Sequence, residues 1–324
     1  MPAADTSGSL KFAAIDVGTN AVRLLLSRVF PNDARPRVKK ESLVRMPLRL
    51  GEDVFTTRRI SPQKQQSLLQ TMQGFRALIN AYQPVDYMAC ATSAMREAEN
   101  GREVVVAIQA ASDIDIEIIG GSREAEIICT SRPEGWLRED QAYLFVDVGG
   151  GSTELAILSR LRLVASASFD IGGVRLMQGR VPAARWEEMK GWIRAHTKPH
   201  RPLVAIGSGG NINKVFRLAR NKEGTSLAYN RLREMYRHLQ QFSLEQRIYE
   251  LGLRPDRADV IIPASEIYIS VMKWAKCKEM LVPMAGLADG LIYLLYDRYL
   301  GGSSDATPVT GAAVTGSEPS AVSE

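Results

Sequence analysis

Two stretches of the chain, Phe12 to Arg28 and Tyr143 to Arg160, carry nearly the same pattern: an apolar strand, Asp-Val-Gly, a turn rich in small polar residues, and a second apolar strand. Their aspartates, Asp16 and Asp147, stand a domain's length apart. The pattern therefore predicts one hairpin made twice, and two such turns facing each other across a cleft would clamp a polyphosphate. Glycines let a backbone approach a ligand or take positive φ, and successive main-chain N–H groups in such a turn form an anion-binding nest. Thr19, Asn20, Ser152 and Thr153 add short hydrogen-bond donors. An aspartate ending a buried strand beside that nest suits Mg²⁺ or its water better than phosphate itself. Either copy alone could be an ordinary hairpin turn; the duplication argues against that reading.

A third turn follows. Leu203 to Ile206 is a short apolar run, and Gly207-Ser208-Gly209-Gly210-Asn211 then opens a segment of helical character, Ile212 to Leu218. Strand, glycine turn and helix N-terminus together make a further anion site. No Gly-Lys-Ser/Thr closes it and no acid follows at ribose spacing, which sets it apart from a P-loop and from a dinucleotide fingerprint.

With 324 residues, 45% of them hydrophobic, the chain can bury a substantial core, and its length favours two domains. A net charge of +5 suits an anionic ligand and falls short of a nucleic-acid footprint. Arg35, Arg37, Lys39, Lys40, Arg45 and Arg49 gather in one stretch, with Arg58 and Arg59 soon after; most are expected to be solvated surface charge. Cys90, Cys129 and Cys277 are scattered and odd in number, which favours a reducing cytoplasm over a disulfide framework. Three histidines, His196, His200 and His238, leave little room for an imidazole-based metal site or a Ser-His-Asp triad. No leader pattern and no membrane-spanning apolar run is present, so the expected location is the cytoplasm.

Local signals order the rest. Ser61-Pro62 reads as a cap and first turn, and Leu68, Met72, Phe75, Ile79 and Tyr82 recur at helical spacing. Val85 to Ala91 is expected as a strand, with Thr92 to Arg96 leaving its carboxyl end, where ligands gather in α/β sheets. A helix after Asn100-Gly101, a strand Ile114 to Ile119, and a helix after Gly120-Gly121-Ser122 with Glu124 in its first turn follow. Arg132 to Gln141 is expected as an interdomain crossing. Later helices are expected near 183–196, 230–241, 243–251, 264–276 and 288–299, with a Ser243/Gln246 capping box.

These pieces resemble the exopolyphosphatase and guanosine pentaphosphate phosphatase family, within the actin-like, sugar-kinase and chaperone ATPase superfamily. The resemblance covers about residues 10 to 300. It rests on Asp16-Val-Gly-Thr-Asn20 followed by Arg23, on Ala91 to Asn100, on Ser122-Arg-Glu124-Ala, and on Asp147-Val-Gly-Gly-Gly-Ser152-Thr-Glu154-Leu. It implies an α/β fold of two actin-like (ribonuclease H-like) domains, each a mixed β-sheet with flanking helices, around a central cleft. The domains are expected at 10–131 and 141–300, with the helix near 288–299 packing back on the first, and 301–324 as a disordered tail.

The resemblance further implies that terminal phosphate is hydrolysed in the cleft from inorganic polyphosphate, or from guanosine pentaphosphate. Glu124 matches the family's general base, Arg96 an arginine gripping the chain near the scissile bond, and Glu154 and Asp147 acids around Mg²⁺ (or Mn²⁺) and the water. Asp16 is the remaining metal candidate. The expected phosphate cradle comprises Gly18, Thr19, Asn20, Arg23, Ser93, Gly149, Gly150, Gly151 and Ser152, with Gly207, Ser208 and Gly209 near a nucleotide. Expected partners are polyphosphate and guanosine penta- or tetraphosphate, with neither nucleic acid nor membrane; a homodimer is compatible.

The chain departs from the family pattern in three places. Arg123 precedes Glu124 where a second acid is usual, Thr19 and Ala21 stand where serines are common, and Gly286-Leu-Ala288-Asp289-Gly290 replaces an Arg-Glu pair with Ala-Asp. Long-chain members carry further helical domains after the first two, so shorter polyphosphates or guanosine pentaphosphate are the expected substrates. Two other readings stay open at this stage: a polyphosphate or guanosine tetraphosphate sensor with little catalysis, and an actin-like kinase or ATPase, which the Thr92 to Asn100 run disfavours.

Overall fold

A computed structural model of the chain describes residues 8–31, 36–130, 137–219 and 225–301. Residues 302–324 of the expected tail, the first half of the 132–141 crossing, and Arg35 lie outside the described residues. In the first half, β1 (Leu10–Val17), β2 (Val22–Phe30) and β3 (Arg37–Met46) form an antiparallel meander. Helices α1 (Leu50–Thr57) and α2 (Pro62–Tyr82) lead to β4 (Asp86–Ala91), which pairs parallel with β1. Short α3 (Ser93–Glu97) and α4 (Gly101–Ser112) precede β5 (Glu117–Ile118), and α5 (Gly121–Thr130) follows it.

The second half repeats the plan. Strands β6 (Ala142–Val148), β7 (Thr153–Ser159) and β8 (Arg162–Phe169) form the meander; α6 (Gly173–Met177) and α7 (Ala183–Thr197) lead to β9 (Leu203–Ser208), parallel to β6. Helix α8 (Gly210–Leu218), strand β10 (Ser226–Ala228), α9 (Tyr229–Gln240), α10 (Leu244–Tyr249), α11 (Pro255–Ala258) and α12 (Ile261–Ala275) come next. Strand β11 (Glu279–Leu281) and α13 (Leu287–Gly301) complete it. Sheet orders are β3-β2-β1-β4-β5 and β10-β11-β9-β6-β7-β8, so the duplication extends from hairpin to sheet.

Strand alternation sends successive side chains to opposite faces, and both faces are covered. On β1, Ala13 and Ile15 meet Leu68, Met72, Phe75 and Ile79 of α2, the stripe expected from helical spacing. On β6, Leu144 and Val146 join a core with Ile267, Val271 and Met272 of α12. The other faces, Phe12 and Ala14 of β1 and Tyr143 and Phe145 of β6, share one apolar cluster with α5 and α13. Here the halves exchange helices. Helix α5, from the first half, packs on β6, β7 and β8, whereas α13, from the second, packs on β1, β2 and β4, and the two helices touch. Phe12 meets the rings of Tyr296 and Tyr299 edge-on at 6.5 and 6.3 Å.

Local signals account for most element ends. Ser61 caps α2, accepting from the Lys64 amide with Pro62 in the first turn, and Ser243 and Gln246 form the expected capping box. Two expectations need correction. The strand placed at Ile114 to Ile119 shrinks to two paired residues, although Ile114, Ile116 and Ile119 are all buried. Strand β3 covers the stretch expected only as basic surface charge; it is a sheet edge whose exposed lysines and arginines hide the alternation that marks inner strands. No helix among the described residues is long and apolar enough to cross a membrane.

Gly290 lies where α13 crosses α5: a Cβ there would overlap the Ile127 carbonyl, and its own carbonyl accepts from the Thr130 hydroxyl at 3.2 Å. Gly290→Ala is therefore expected to cost about 1–3 kcal/mol. Gly191→Ala, in open space on α7, should instead stabilise by about 0.5–1 kcal/mol. Chemical denaturation of both variants checks the contrast.

Candidate functional site

The two hairpin turns close identically. The Gly18 N–H donates to the Ala21 carbonyl at 3.2 Å and the Gly149 N–H to Ser152 at 2.9 Å. Neither turn uses positive φ, contrary to one half of the expectation; its glycines are required by close approach. A Cβ on Gly150 would lie 2.7 Å from Thr19 Cγ2, and one on Gly151 would lie 2.5 Å from Ser93 Oγ, so the turns pack directly on each other and on the start of α3. Thr19 and Ser93 hydroxyls share a hydrogen bond of 2.8 Å. The N–H groups of Thr19, Asn20, Gly150 and Gly151 make no backbone hydrogen bond among the described residues. They remain available to an anion.

The register then fixes the charges. Asp16 pairs with Arg23 across the first hairpin, and Asp147 with Glu154 at the corresponding place in the second. The alternation that buries Phe12, Ala14, Phe145 and Ala156 between the sheets puts all four charged groups on that inner face. Asp16 is held by an ion pair with Arg23. Asp147 and Glu154 have no such partner across the strands, and α5 brings Glu124 to them. Among the described residues, Glu124, Asp147 and Glu154 are the group able to hold a metal, with one carboxylate oxygen of each within 4.8 Å of the others. Asp16 lies outside it.

These carboxyls are distorted by their surroundings. Burial, then the charges of Glu154, Asp147 and Asp16, raises Glu124 well above the ordinary range; Arg96 pulls the other way. Burial and Asp147 push Glu154 up to about 7, against the Ser152 and Ser168 hydroxyls. Asp147 is raised by burial, although it accepts from the Ser208 hydroxyl. Glu124 Oε2 and Glu154 Oε2 are buried without a hydrogen-bond partner.

A cavity of about 440 Å³ opens beside them. Asp16, Gly18, Thr19, Asn20, Arg23, Ser93, Glu124, Asp147, Gly149, Gly150, Ser152 and Gly209 line it. Other members of the expected set sit behind the wall. Arg96 donates to the Ile119 carbonyl at 2.8 Å, just ahead of α5. Glu154 accepts from Ser168 at 2.9 Å. Gly151 is packed under Phe55, Gly207 lies inside β9 against Met280, and the Ser208 hydroxyl is spent on Asp147. Gly209 has φ +96°, and a Cβ there would crowd Asp147 at 2.9 Å, so this turn does require glycine twice over.

Sequence reasoning missed a row of cations on the cavity wall: Lys40, Arg45, Lys214, Arg217, Arg254 and Arg257. Lys40 and Arg45 belong to the stretch expected as surface charge, yet Lys40 pairs with Asp289 at 2.7 Å and Arg45 with buried Asp256. Arg49 likewise pairs with Asp259. The others of that group, Arg37, Lys39, Arg58 and Arg59, are exposed as expected. Arg257 sits against Gly210, whose absent Cβ would lie 2.5 Å from the guanidinium. Burial, with Arg45 and Arg23 nearby, lowers it to about 10, the mark of a cation with too little negative charge around it. No local motif flags it; only α11 folding toward the first hairpin, where Asn20 Nδ2 donates to the Asp256 carbonyl at 2.6 Å, brings it in. Arg123 is over half exposed, pairs with Glu126 at 3.2 Å, and does not line the cavity.

Comparison with known proteins identifies the family. The chain is 32% identical to Exopolyphosphatase 2 of Mycobacterium tuberculosis over 176 residues, 52% of this chain and 54% of the relative. It is 29% identical to the bifunctional 3-dehydroquinate synthase/phosphatase of Fusobacterium nucleatum over 170 residues, 51% of this chain and 26% of that one. The chain thus spans about half the length of the first of these relatives and about a quarter of the second. The crystal structure of an exopolyphosphatase from Cytophaga hutchinsonii superposes with a TM-score of 0.77 at 24% identity, covering 89% of this chain and 98% of that one, and shares the fold. The model of the Ppx/GppA phosphatase family matches residues 43–299, most of the described structure, and the chain belongs to that family.

Proposed function

We propose that the protein is a phosphoanhydride hydrolase that removes terminal phosphate from inorganic polyphosphate or the 5′ γ-phosphate from guanosine pentaphosphate. One observation carries this reading: the free N–H groups of Thr19, Asn20 and Gly150 and a wall of cations face the same cavity as Glu124 and Asp147, with Glu154 completing the acidic cluster just behind them. Family membership and the name of the mycobacterial relative support it. The sensor reading rests on Arg123 and on the altered Ala288-Asp289 motif; Arg123 is turned to solvent and Glu126, whereas Asp289 lines the cavity and pairs with Lys40.

Phosphoryl transfer asks chiefly for positioning and charge neutralisation. In the proposed reaction, the turns at 18–20 and 149–152 hold the terminal phosphate by their N–H groups. Arg23, Arg45 and Arg257 hold the units behind it. Glu124 takes a proton from the attacking water as its oxygen bonds to the terminal phosphorus. The bridging P–O bond then breaks, releasing orthophosphate and leaving its electron pair on the shortened chain. Arg96, with one donor on Ile119, sits behind the cavity wall, where its charge opposes the rise of Glu124 and Glu154.

The residues fit a divalent cation. Two buried carboxylate oxygens without partners and a third carboxylate nearby form an all-oxygen donor set, which suits Mg²⁺ or Mn²⁺. Asp147 and Glu154 would hold it, with Glu124 alongside. When bound, such an ion neutralises phosphate charge and acidifies water.

Orthophosphate released from a panel of polyphosphate lengths and guanine nucleotides tests the reading; release from none of them refutes it. Glu124→Gln should keep ligand affinity and lower kcat by about 10²-fold or more. Near-normal kcat would remove Glu124 as the base. Arg257→Ala should raise KM for polyphosphate with a smaller change in kcat.

The carboxyls also predict a pH signature in metal-free protein. A folded-state carboxyl raised above its unfolded value favours the protonated form, so stability falls as pH rises from the ordinary 4.5 to about 7. Thermal melts should show that decline, and added Mg²⁺ should raise Tm more at pH 8 than at pH 5.

A further inference from the structure

Arg175 is absent from the expected site and does not line the cavity, yet it holds the second phosphate turn from behind. It sits in the short α6, whose first amides already grip that turn: the Gly173 N–H donates to Gly149 at 2.9 Å, and the Val174 and Arg175 N–H groups donate to Gly150 at 2.8 and 3.1 Å. The Arg175 side chain adds a fourth bond, from Nε to the Gly151 carbonyl at 2.8 Å. The far end of the same guanidinium reaches into the other half of the molecule. Nη2 binds both carboxylate oxygens of Glu97, at 2.6 and 2.7 Å. Glu97 ends α3, the helix that begins with Ser93 at the Thr19 hydroxyl. The guanidinium carbon lies over the Phe55 ring, 4.1 Å from its centroid, and Phe55 is the ring beneath Gly151.

One nearly buried side chain, with 12% of its surface exposed, thus contacts a carbonyl of one turn, a carboxylate anchored beside the other, and the ring filling the space between. We propose that Arg175 is a positioning residue that sets the orientation of the Gly149 to Ser152 peptide groups relative to the Thr19-Asn20 turn, and so aligns both sets of N–H donors on one phosphate. The inference rests on the hydrolase reading above. Its chemistry depends on two separated donors on one flat group, Nε for Gly151 and Nη2 for Glu97. Lysine keeps the charge and can meet Glu97, but its single nitrogen cannot also donate to Gly151 while a flat cation covers Phe55. A displaced turn would misplace the transferring phosphoryl group while Arg23, Arg45 and Arg257 still hold the chain, so the loss belongs in turnover and not in affinity.

The test compares wild type, Arg175→Lys, Arg175→Ala and Glu97→Gln in orthophosphate release with Mg²⁺, alongside amide hydrogen exchange of residues 149–152. Arg175→Lys is expected to lower kcat about tenfold to a hundredfold with KM within threefold, and to speed exchange in the turn. Glu97→Gln should fall between it and wild type. Added guanidinium at millimolar concentration, and not ammonium, should restore part of the turnover of Arg175→Ala. A merely structural arginine would lower Tm without that rescue or the split between kcat and KM, and this result would overturn the proposal, as would wild-type turnover in Arg175→Lys. If wild type releases no orthophosphate, the hydrolase reading fails by itself. The exchange data then judge the clasp: unchanged protection at 149–152 in Arg175→Lys would overturn it, and faster exchange would uphold its hold on the turn.

Discussion

A charge imbalance between two copies of one hairpin governs the centre of this molecule. Each copy places an aspartate at the end of its first strand and a second charged side chain directly opposite it. In the first copy that partner is Arg23, and the pair is internally neutral. In the second it is Glu154, and two acids face each other in a buried place, an arrangement that is unfavourable unless something positive arrives. The pleat leaves no escape. Turning either acid outward would require slipping the strand by one residue, which would carry Phe145, Ala156 and their neighbours out of the apolar layer as well. Apolar packing holds the like charges together, and the outcome is a cation-seeking centre beside anion-seeking loops.

Helix α5 sharpens that imbalance. It is made by the first half of the chain and laid against the second sheet, so Glu124 joins Asp147 and Glu154 instead of its own hairpin's Asp16. Arg96 ties the start of the same helix by its bond to Ile119. The base and its neighbours therefore come from different halves, and any shift of one sheet relative to the other changes the distance between them. The ion pairs Lys40–Asp289, Arg45–Asp256, Arg49–Asp259 and Glu97–Arg175 all resist such a shift. Two of these cations, Lys40 and Arg45, also line the cavity, where a bound polyanion would compete for them.

Much of this was legible in the chain because it is written locally. The hairpins announce themselves by Asp-Val-Gly and alternation, α2 by its apolar spacing, α10 by its capping box, and the family by four short motifs. The fold class and the turns followed. What stayed hidden depends on partners distant in sequence. Lys40, Arg45 and Arg49 look like surface charge until acids some two hundred residues later fold against them. Arg257 and Arg175 have no motif of their own meaning and gain one only from Gly210 and Gly151. Conversely, Gly207 and Gly151 resemble ligand-facing glycines but answer to Met280 and Phe55. The identical seven-residue step from Asp16 to Arg23 and from Asp147 to Glu154 was in the sequence and was the available clue to the acidic centre.

Helix α13 carries a consequence for how the molecule assembles. Its Leu291, Ile292 and Leu295 cover the inner face of the first sheet, built almost three hundred residues earlier. During synthesis, Phe12, Leu25 and Val29 must therefore wait, uncovered, until the last helix emerges. The first half cannot complete its own folding before the second is made, and a nascent chain halted between α5 and α13 would present a sticky apolar sheet face to chaperones.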